Sequence, residues 1–470
     1  MDYHSLFGVS WNSDIEDKMT AMSQAKVDAK AYLIIGLGKT GLSCARFLLE
    51  QGHDVAMMDT RKTPPYIDIV QNELPEVSLT KDGLDLKLML KSDFIVLSPG
   101  VDPRLREIRA AREHNIKIIG DIELFIRSIN EPVIAITGSN GKSTVTTMLA
   151  EMAVMAGKKI KVGGNIGIPA LSLIADPKPD FYILELSSFQ LETVSSLNAY
   201  ASVVLNISPD HLDRYDDIEQ YKKTKAKVYI GSEVIVVNRD DNLSCDCAEG
   251  YQNQIGFTLH KPVDNDFGVD EERGEIYLAR GKEKLLSISD MQVIGEHNVS
   301  NALAALALGY VMKLPMKAML AALKQYRGLP HRCQLVTEKN GIQWVNDSKA
   351  TNVGASIAAI KGISCGRDIV LIAGGVAKEQ EFSDLTPVFK THLKSLLLIG
   401  QDAKKISKVT PKDIPQHIAQ NMSDAVKKAK AIAKEGDIVL LSPACASFDM
   451  YDNYEKRGDA FMNAVEAQLS

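Results

Sequence analysis

At 470 residues the chain has room for about three domains with a substantial core in each. Its 45% hydrophobic and 24% charged content is that of an ordinary soluble globular protein. A net charge of −6 gives no support to nucleic-acid binding, and no apolar run approaches the ~18 residues of a membrane span.

Residues 1–30 are polar and show no strand or helix pattern, so they form an extension to which no chemistry is assigned. With acidic Asp2 and no basic cluster before an apolar core, this start does not read as a secretory signal. From Tyr32 onward short apolar runs alternate with amphipathic stretches, the pattern of α/β domains with largely parallel sheets. The first unit is Tyr32-Leu33-Ile34-Ile35, then Gly36-Leu37-Gly38-Lys39-Thr40-Gly41 and a helix through Leu49. A second strand, Val55-Ala56-Met57-Met58, ends at Asp59, and a later one, Phe94-Ile95-Val96-Leu97, runs into Ser98-Pro99-Gly100. The three spaced glycines with Asp59 are nearly the dinucleotide fingerprint, and taken alone they fit NAD.

A new strand, Val133-Ile134-Ala135-Ile136, starts after Asn130-Glu131-Pro132, which puts a boundary near 120–130. It runs into Thr137-Gly138-Ser139-Asn140-Gly141-Lys142-Ser143-Thr144, a glycine turn opening a helix on lysine and a hydroxyl pair. Backbone N–H groups in such a turn converge on an anion, and the helix N-terminus adds positive potential. Lys142 can reach terminal phosphates and Ser143 can hold the accompanying magnesium, so the turn predicts ATP binding, with two residues between its glycines where the general phosphate loop has four. The following helix carries Val145, Met148, Leu149, Met152 and Met155 toward the core and stops at Gly157.

Glu185 ends the apolar strand Phe181–Leu184, where an unpaired carboxylate calls for a cation; magnesium on ATP phosphates supplies one, and a structural salt bridge is the other reading. His211 follows the run Ser202–Ile207 through Ser208-Pro209-Asp210, at a strand's carboxyl end where parallel sheets place ligands, beside Asp210 and Asp213; it reads equally as structural. On a helix over 218–229, Lys225 shares the apolar face of Ile218, Tyr221, Val228 and Tyr229, while Lys223 and Lys227 point away. Burial favours a neutral amine that can take up CO2 to become a carbamate, although a lysine snorkelling past the core edge fits as well.

Arg327-Gly328-Leu329-Pro330 suits a hinge. Beyond it, strands around Gln343–Val345, Asp368–Ile372, Ser395–Ile399 and Ile438–Leu441 form a third, Rossmann-like domain. The expected division is 1–120, 121–328 (a phosphate-loop ATPase-type sheet) and 329–470, with no internal repeat. Of six cysteines only Cys245 and Cys247 are close, so reduced thiols in a cytoplasmic protein are expected.

The stretches Thr137–Thr144, Glu185–Glu192, Gly295-Glu296-His297-Asn298 and Asn346–Asn352, in this order, resemble the Mur ligases, ATP-dependent amide-forming enzymes of peptidoglycan synthesis. The resemblance runs from about residue 31 to the C-terminus. Ser442-Pro443-Ala444-Cys445-Ala446-Ser447 with Arg457-Gly458 points to the branch that adds D-glutamate to UDP-N-acetylmuramoyl-L-alanine. It implies that Gly138, Ser139, Asn140, Gly141, Lys142, Ser143 and Thr144 cradle ATP, with Asn298, Asn301, Arg332 and Asp347 around the nucleotide. Ser143 and Glu185 would hold one magnesium, and His211 with carbamylated Lys225 a second. Thr351, Lys378 and Ser447 would take the carboxylates of D-glutamate, next to Tyr454 where the family commonly has phenylalanine.

The resemblance also replaces NAD at the first glycine turn with the uridine diphosphate of the sugar substrate. Lys39, Thr40, Asp59, Thr60, Arg61 and Gly100 would contact it, and Asn165, Ser187 and His211 the muramoyl end. The implied reaction passes the γ-phosphate to a carboxylate and lets an amine displace it, in a cytoplasmic protein expected to be a monomer. Two other classes fit the residues less well. A folylpolyglutamate synthase, a relative of the family, lacks a first domain of this kind, and a dehydrogenase-like binder leaves Glu185, His211 and Lys225 without a role.

Overall fold

Three separate β-sheets organise the chain in the computed structural model, which describes residues 29–211, 214–293, 295–364, 366–377 and 380–469. The polar segment 1–28, Asp213, Cys365 and Lys378 lie outside the described residues. The first sheet holds β1 (Ala31–Ile35), β2 (Asp54–Asp59), β3 (Ser78–Lys81), β4 (Phe94–Leu97) and β5 (Lys117–Gly120). All are parallel, in the order β3-β2-β1-β4-β5. The order reverses between β1 and β4, and the glycine turn sits at that crevice, where doubly wound sheets bind ligands.

The second sheet holds β6 (Val133–Thr137), β7 (Ile160–Gly164), β8 (Phe181–Glu185), β9 (Ala201–Val204), β10 (Val234–Asn238), β11 (Gln254–Phe257), β12 (Phe267–Glu272), β13 (Glu275–Arg280) and β14 (Glu283–Ser287). Its order is β14-β13-β12-β11-β10-β9-β6-β8-β7, which puts the phosphate-loop strand β6 between β9 and β8. The antiparallel meander β12–β14 was not anticipated. Its first hairpin turns on Arg273-Gly274, both at positive φ (52° and 83°), the geometry that a two-residue turn requires.

The third sheet holds β15 (Gln334–Lys339), β16 (Ile342–Asn346), β17 (Ile369–Gly374), β18 (Leu393–Ile399), β19 (Gln416–Ile418) and β20 (Ile438–Leu441), in the order β15-β16-β20-β17-β18-β19. It is parallel except for β15, which pairs with β16 through an Asn340-Gly341 turn at φ 55° and 69°. Asn-Gly is a strong hairpin signal, and the sequence reading passed over it. Among the described residues no helix is long and apolar enough to cross a membrane, and five cysteines are unpaired.

Three expected elements change at their ends. The run expected as a strand to Ile207 leaves the ladder at Val204, because Asn206 turns to accept from Ser139 N and brace the phosphate loop. The helix expected over 218–229 is α-helical for Ile218–Ala226 and finishes as a 3₁₀ turn over Lys227–Tyr229; Lys227 is part-buried, its ammonium on the Glu192 carbonyl. In helix Lys142–Met155, Met148 and Met152 are core residues packed toward helices Glu296–Val311 and Met316–Gln325. Met155 is 40% exposed beside Val154 at 42%, so the buried face ends at Ala153.

The glycines of the first turn are not equivalent. A Cβ on Gly41 would lie 1.9 Å from the Gly36 carbonyl oxygen, whereas one on Gly38 meets nothing within 4 Å. Gly41→Ala is therefore expected to cost about 1–3 kcal/mol and lower the melting temperature by several degrees. Gly38→Ala should leave it unchanged within error, and equal shifts in thermal melts of the two variants would contradict this packing.

Candidate active site

A cavity of about 900 Å³ lies where the carboxyl ends of β6 and β8 meet loops of the third sheet. The phosphate loop forms one wall through Ser139, Asn140, Gly141, Lys142, Ser143 and Thr144. Its two glycines are obligatory. Gly138 has φ 150° and a Cβ there would meet Leu205 Cβ at 2.9 Å; Gly141 has φ 84° and a Cβ would lie 2.4 Å from Asn301 Oδ1. Asn206 braces the short turn from behind, its Oδ1 accepting from Asn140 N at 2.8 Å and its Nδ2 donating to Asn140 O at 3.1 Å.

Two lysines converge on one carbonyl behind this wall. Lys142 Nζ donates to Gly138 O at 2.7 Å and to Ser139 O at 2.9 Å, and Lys225 Nζ donates to Gly138 O at 2.9 Å. Lys225 is 1% exposed and stands over the Tyr221 ring at 4.6 Å. Burial, and then the Lys142 ammonium, push its pKa well below that of an ordinary lysine. Burial also lowers the pKa of Lys142, against the opposing pull of Glu185 and Asp210.

Glu185 is buried at the end of β8, with Oε1 accepting from Asn165 Nδ2 at 2.6 Å. Its Oε2 is equally buried and accepts no hydrogen bond among the described residues. No ion pair to Glu185 within 4 Å occurs among the described residues. An orphaned carboxylate oxygen in the wall that carries Ser143 fits a hard divalent cation, which takes oxygen ligands. His211 is not part of that wall. It is 41% exposed at φ 55°, its ring 4.6 Å from that of Phe189, while its neighbour Asp210 does line the cavity.

The expected nucleotide residues come together. Asn298 and Asn301, on the first turns of helix Glu296–Val311, line the cavity with Arg332 and Asp347. Arg332 Nη2 donates to Ser143 Oγ at 2.7 Å, a direct bond from the third sheet's side to the phosphate loop. Burial pushes the Asp347 carboxyl up to about 7, against hydrogen bonds from Ser442 Oγ (2.8 Å) and Cys333 N (3.2 Å).

Of the residues expected at D-glutamate, Thr351 and Tyr454 line the cavity, Ser447 is buried and does not form its wall, and Lys378 lies outside the described residues. The sequence reading missed Lys349. Its ammonium lies 3.7 Å from the Tyr454 ring centroid, and burial and then Arg332 bring its pKa down to about 8. Its position inside the Asn346–Asn352 stretch was the available signal.

The remaining residues lie elsewhere. Lys39, Thr40, Asp59, Thr60, Arg61 and Gly100 follow the carboxyl ends of the first sheet, outside this cavity. Lys39 Nζ reaches across to Gly167 O at 2.6 Å. Asp59 is buried and turned inward: Oδ2 accepts from Leu37 N at 2.7 Å and from Arg61 Nη2 at 2.7 Å, and Oδ1 from Arg61 N at 2.8 Å and Nε at 2.9 Å. Ser187 caps helix Ser188–Leu191 in a reciprocal box with Gln190, and Asn165 lines the cavity beside Glu185.

Comparison with known proteins places this geometry. Residues 30–120 match the profile of the Mur ligase MurD-like N-terminal domain, 136–309 the Mur ligase middle domain and 331–445 the Mur ligase glutamate ligase domain. The chain is 49% identical over 442 residues to the UDP-N-acetylmuramoylalanine–D-glutamate ligase of Nitrosococcus oceani, covering 94% of this chain and 98% of that protein. It is 44% identical to the protein of the same name from Pseudomonas aeruginosa, over 92% of this chain and 97% of that one. Among solved structures, a pseudomurein peptide ligase type C from Methanothermus fervidus aligns with a TM-score of 0.59 at 20% identity, over 94% of this chain and 100% of the other. The UDP-N-acetylmuramate–alanine ligase of Thermotoga maritima aligns at 0.57 and 17%, over 93% and 100%. At those identities the structural likeness speaks for the fold alone. With the family profiles and the sequence relatives spanning nearly its whole length, the chain belongs to the Mur ligase family.

Proposed function

We propose that the protein is a cytoplasmic, monomeric ATP-dependent ligase that joins D-glutamate to UDP-N-acetylmuramoyl-L-alanine in peptidoglycan precursor synthesis. The observation that carries this reading is the buried Glu185 with its unpartnered oxygen at the phosphate loop, in a cavity completed by Arg332 and Asp347. In the same reading, residues 1–120 bind the uridine nucleotide, 121–328 bind ATP and 329–470 bind the amino acid.

A carboxylate and an amine do not condense spontaneously in water, so the carboxylate is activated first. The γ-phosphoryl group of ATP passes to the alanine carboxylate, leaving ADP and an acyl phosphate. The amine of D-glutamate then attacks the acyl carbon, loses a proton, and phosphate departs with the electron pair of the broken C–O bond. Two magnesium ions, when bound, supply positive charge between the triphosphate and the carboxylate. Ser143 and Glu185 would hold one; Lys225 as its carbamate would hold the other, with His211 turned in from the exposed position outside the wall that it has here. Lys142, bonded here to the Gly138 carbonyl, would give its ammonium to the phosphates, and the Ser143 hydroxyl, bonded here to Arg332, would be the oxygen offered to the metal. Thr351, Lys378, Ser447 and Tyr454 orient the acceptor, and closure of the cavity excludes the water that would hydrolyse the acyl phosphate.

The support for carbamylation is chemical: CO2 reacts with a neutral amine, and burial, then the Lys142 ammonium, shift this fully buried amine well toward its neutral form. The support for the uridine site is the glycine turn at the switch point of the first sheet, with Asp59 holding the Leu37 amide and Arg61 in place.

Three measurements test the reading. Phosphate release with magnesium, ATP and UDP-N-acetylmuramoyl-L-alanine is expected with D-glutamate and not with L-glutamate, L-alanine or a diamino acid. Release with another acceptor would keep the ligase chemistry and move the specificity. Lys225→Ala should lose at least about 100-fold in turnover and recover part of it with added formate or acetate; full activity unaided removes the carbamate. Asp59→Ala should weaken uridine diphosphate binding about tenfold while magnesium-ADP binding is unchanged, and equal losses in calorimetric titrations would contradict the separation of the two sites.

A further inference from the structure

We infer that Arg457 is the positioning residue that fixes the acceptor-amino-acid end of the cavity, by stapling the loops after β16 and β20 to the first turn of the C-terminal helix. The inference rests on the proposed ligase reading and extends it to a residue that touches no substrate.

Arg457 lies one turn into helix Tyr454–Leu469 and is 1% exposed. Its guanidinium is used on three sides: Nε donates to Ser348 Oγ at 3.0 Å, Nη2 to Ser348 O at 2.8 Å, and Nη1 to Cys445 O at 3.0 Å. Ser348 Oγ passes the chain on, donating to the Tyr454 carbonyl at 2.8 Å. The next residue leaves room for the same cluster, since a Cβ on Gly458 would lie 2.1 Å from His331 Nδ1. Among the described residues none of Arg457's hydrogen bonds goes to a carboxylate, although Asp449 and Asp347 act on it from a distance. A buried cation hydrogen-bonded to carbonyls and a hydroxyl is costly to keep for stability alone. What the guanidinium supplies instead is a rigid planar fork, whose donors hold two separate loops at a fixed spacing.

Those loops are neighbours because β16 and β20 pair in parallel, Asn346 opposite Leu441. The first carries Lys349 and Thr351 on either side of Ala350, directly after Ser348; the second carries Ser447 two residues after Cys445. The helix itself begins at Tyr454, whose ring lies under the Lys349 ammonium. One guanidinium therefore ties together every described element that bears a residue expected at D-glutamate. The phosphate loop, Glu185 and Asn298 are not bonded to it, and Asp347, which directly precedes Ser348, keeps its own bonds from Ser442 Oγ and Cys333 N, so disturbance of the staple should reach the acceptor more than the nucleotide.

Arg457→Lys keeps the charge and cannot make all three bonds. Steady-state kinetics should show the KM for D-glutamate raised about tenfold, the loss of one charge-assisted hydrogen bond, with the KM values for ATP and the uridine substrate changed less than about twofold. A general structural role would move all three together or lower kcat alone, and either result overturns the inference. Ser348→Ala removes the hydroxyl shared by Nε and the Tyr454 carbonyl but leaves both carbonyl bonds, and should raise the same KM about threefold. If Arg457→Lys does not fold, Ser348→Ala decides: an unchanged KM for the acceptor overturns the inference. Failure of the wild-type protein to use D-glutamate would sink the ligase specificity instead, and the same ratio of KM values would then be read with whichever amine supports phosphate release.

Discussion

The Gly138 carbonyl oxygen accepts from two lysine ammonium groups at 2.7 and 2.9 Å, and the chemistry of the central sheet follows from that crowding. Lys142 and Lys225 cannot both be fully charged there at low cost, because burial weakens solvation while strengthening their repulsion. The solution is visible in the neighbours: Lys225 is driven toward its neutral form, and Glu185 is buried close enough to act on both. Gly138 makes the arrangement possible. Only a residue without a side chain can hold φ 150° against Leu205 and turn its carbonyl back between the lysines. The result is a site that brings together two lysines on one carbonyl, one of them with its pKa pushed well down by burial, and a buried carboxylate oxygen that accepts no hydrogen bond among the described residues.

The cavity is completed from another part of the chain. Arg332 bonds Ser143, and Asp347, one residue past β16, is held by Ser442 after β20. Its carboxyl sits near 7 because burial outweighs those hydrogen bonds. The bond from Arg332 to Ser143 shows how closely the two units approach at the phosphate loop.

The first unit is tied to the central one at its junction. Helix Asp121–Ile126 follows β5 directly, and its two acidic residues both reach across. Asp121 accepts from Gln190 Nε2 at 3.1 Å, and Glu123 accepts from the amides and hydroxyls of Ser195 and Ser196. The pair shows what decides a buried carboxyl's state. With one side-chain partner, burial carries Asp121 up to about 6; with five donors counting Arg127, hydrogen bonding overcomes burial and takes Glu123 down to about 2. Gln190 also closes the capping box with Ser187, so the junction is continuous with the loop after β8.

Much of this was legible in the residues. Strand–glycine–helix units announce parallel sheets wherever they occur, and the phosphate loop, Glu185 at a strand end and Lys225 on an apolar helix face were found from local pattern, since each breaks a rule of burial that its neighbours obey. The Asn340-Gly341 hairpin was equally legible and was passed over. Other features depend on contacts distant in sequence, and no local pattern carries them. That Val204 ends its strand follows from Asn206 bracing a loop 66 residues earlier; that Asp59 faces inward follows from the Leu37 amide; that Lys349 lies over Tyr454 follows from the pairing of β16 with β20. Periodicity and motif spacing report the conformation of a segment, because side-chain direction there is set by the backbone. Which buried charge meets which partner is settled only when separate strands are brought side by side.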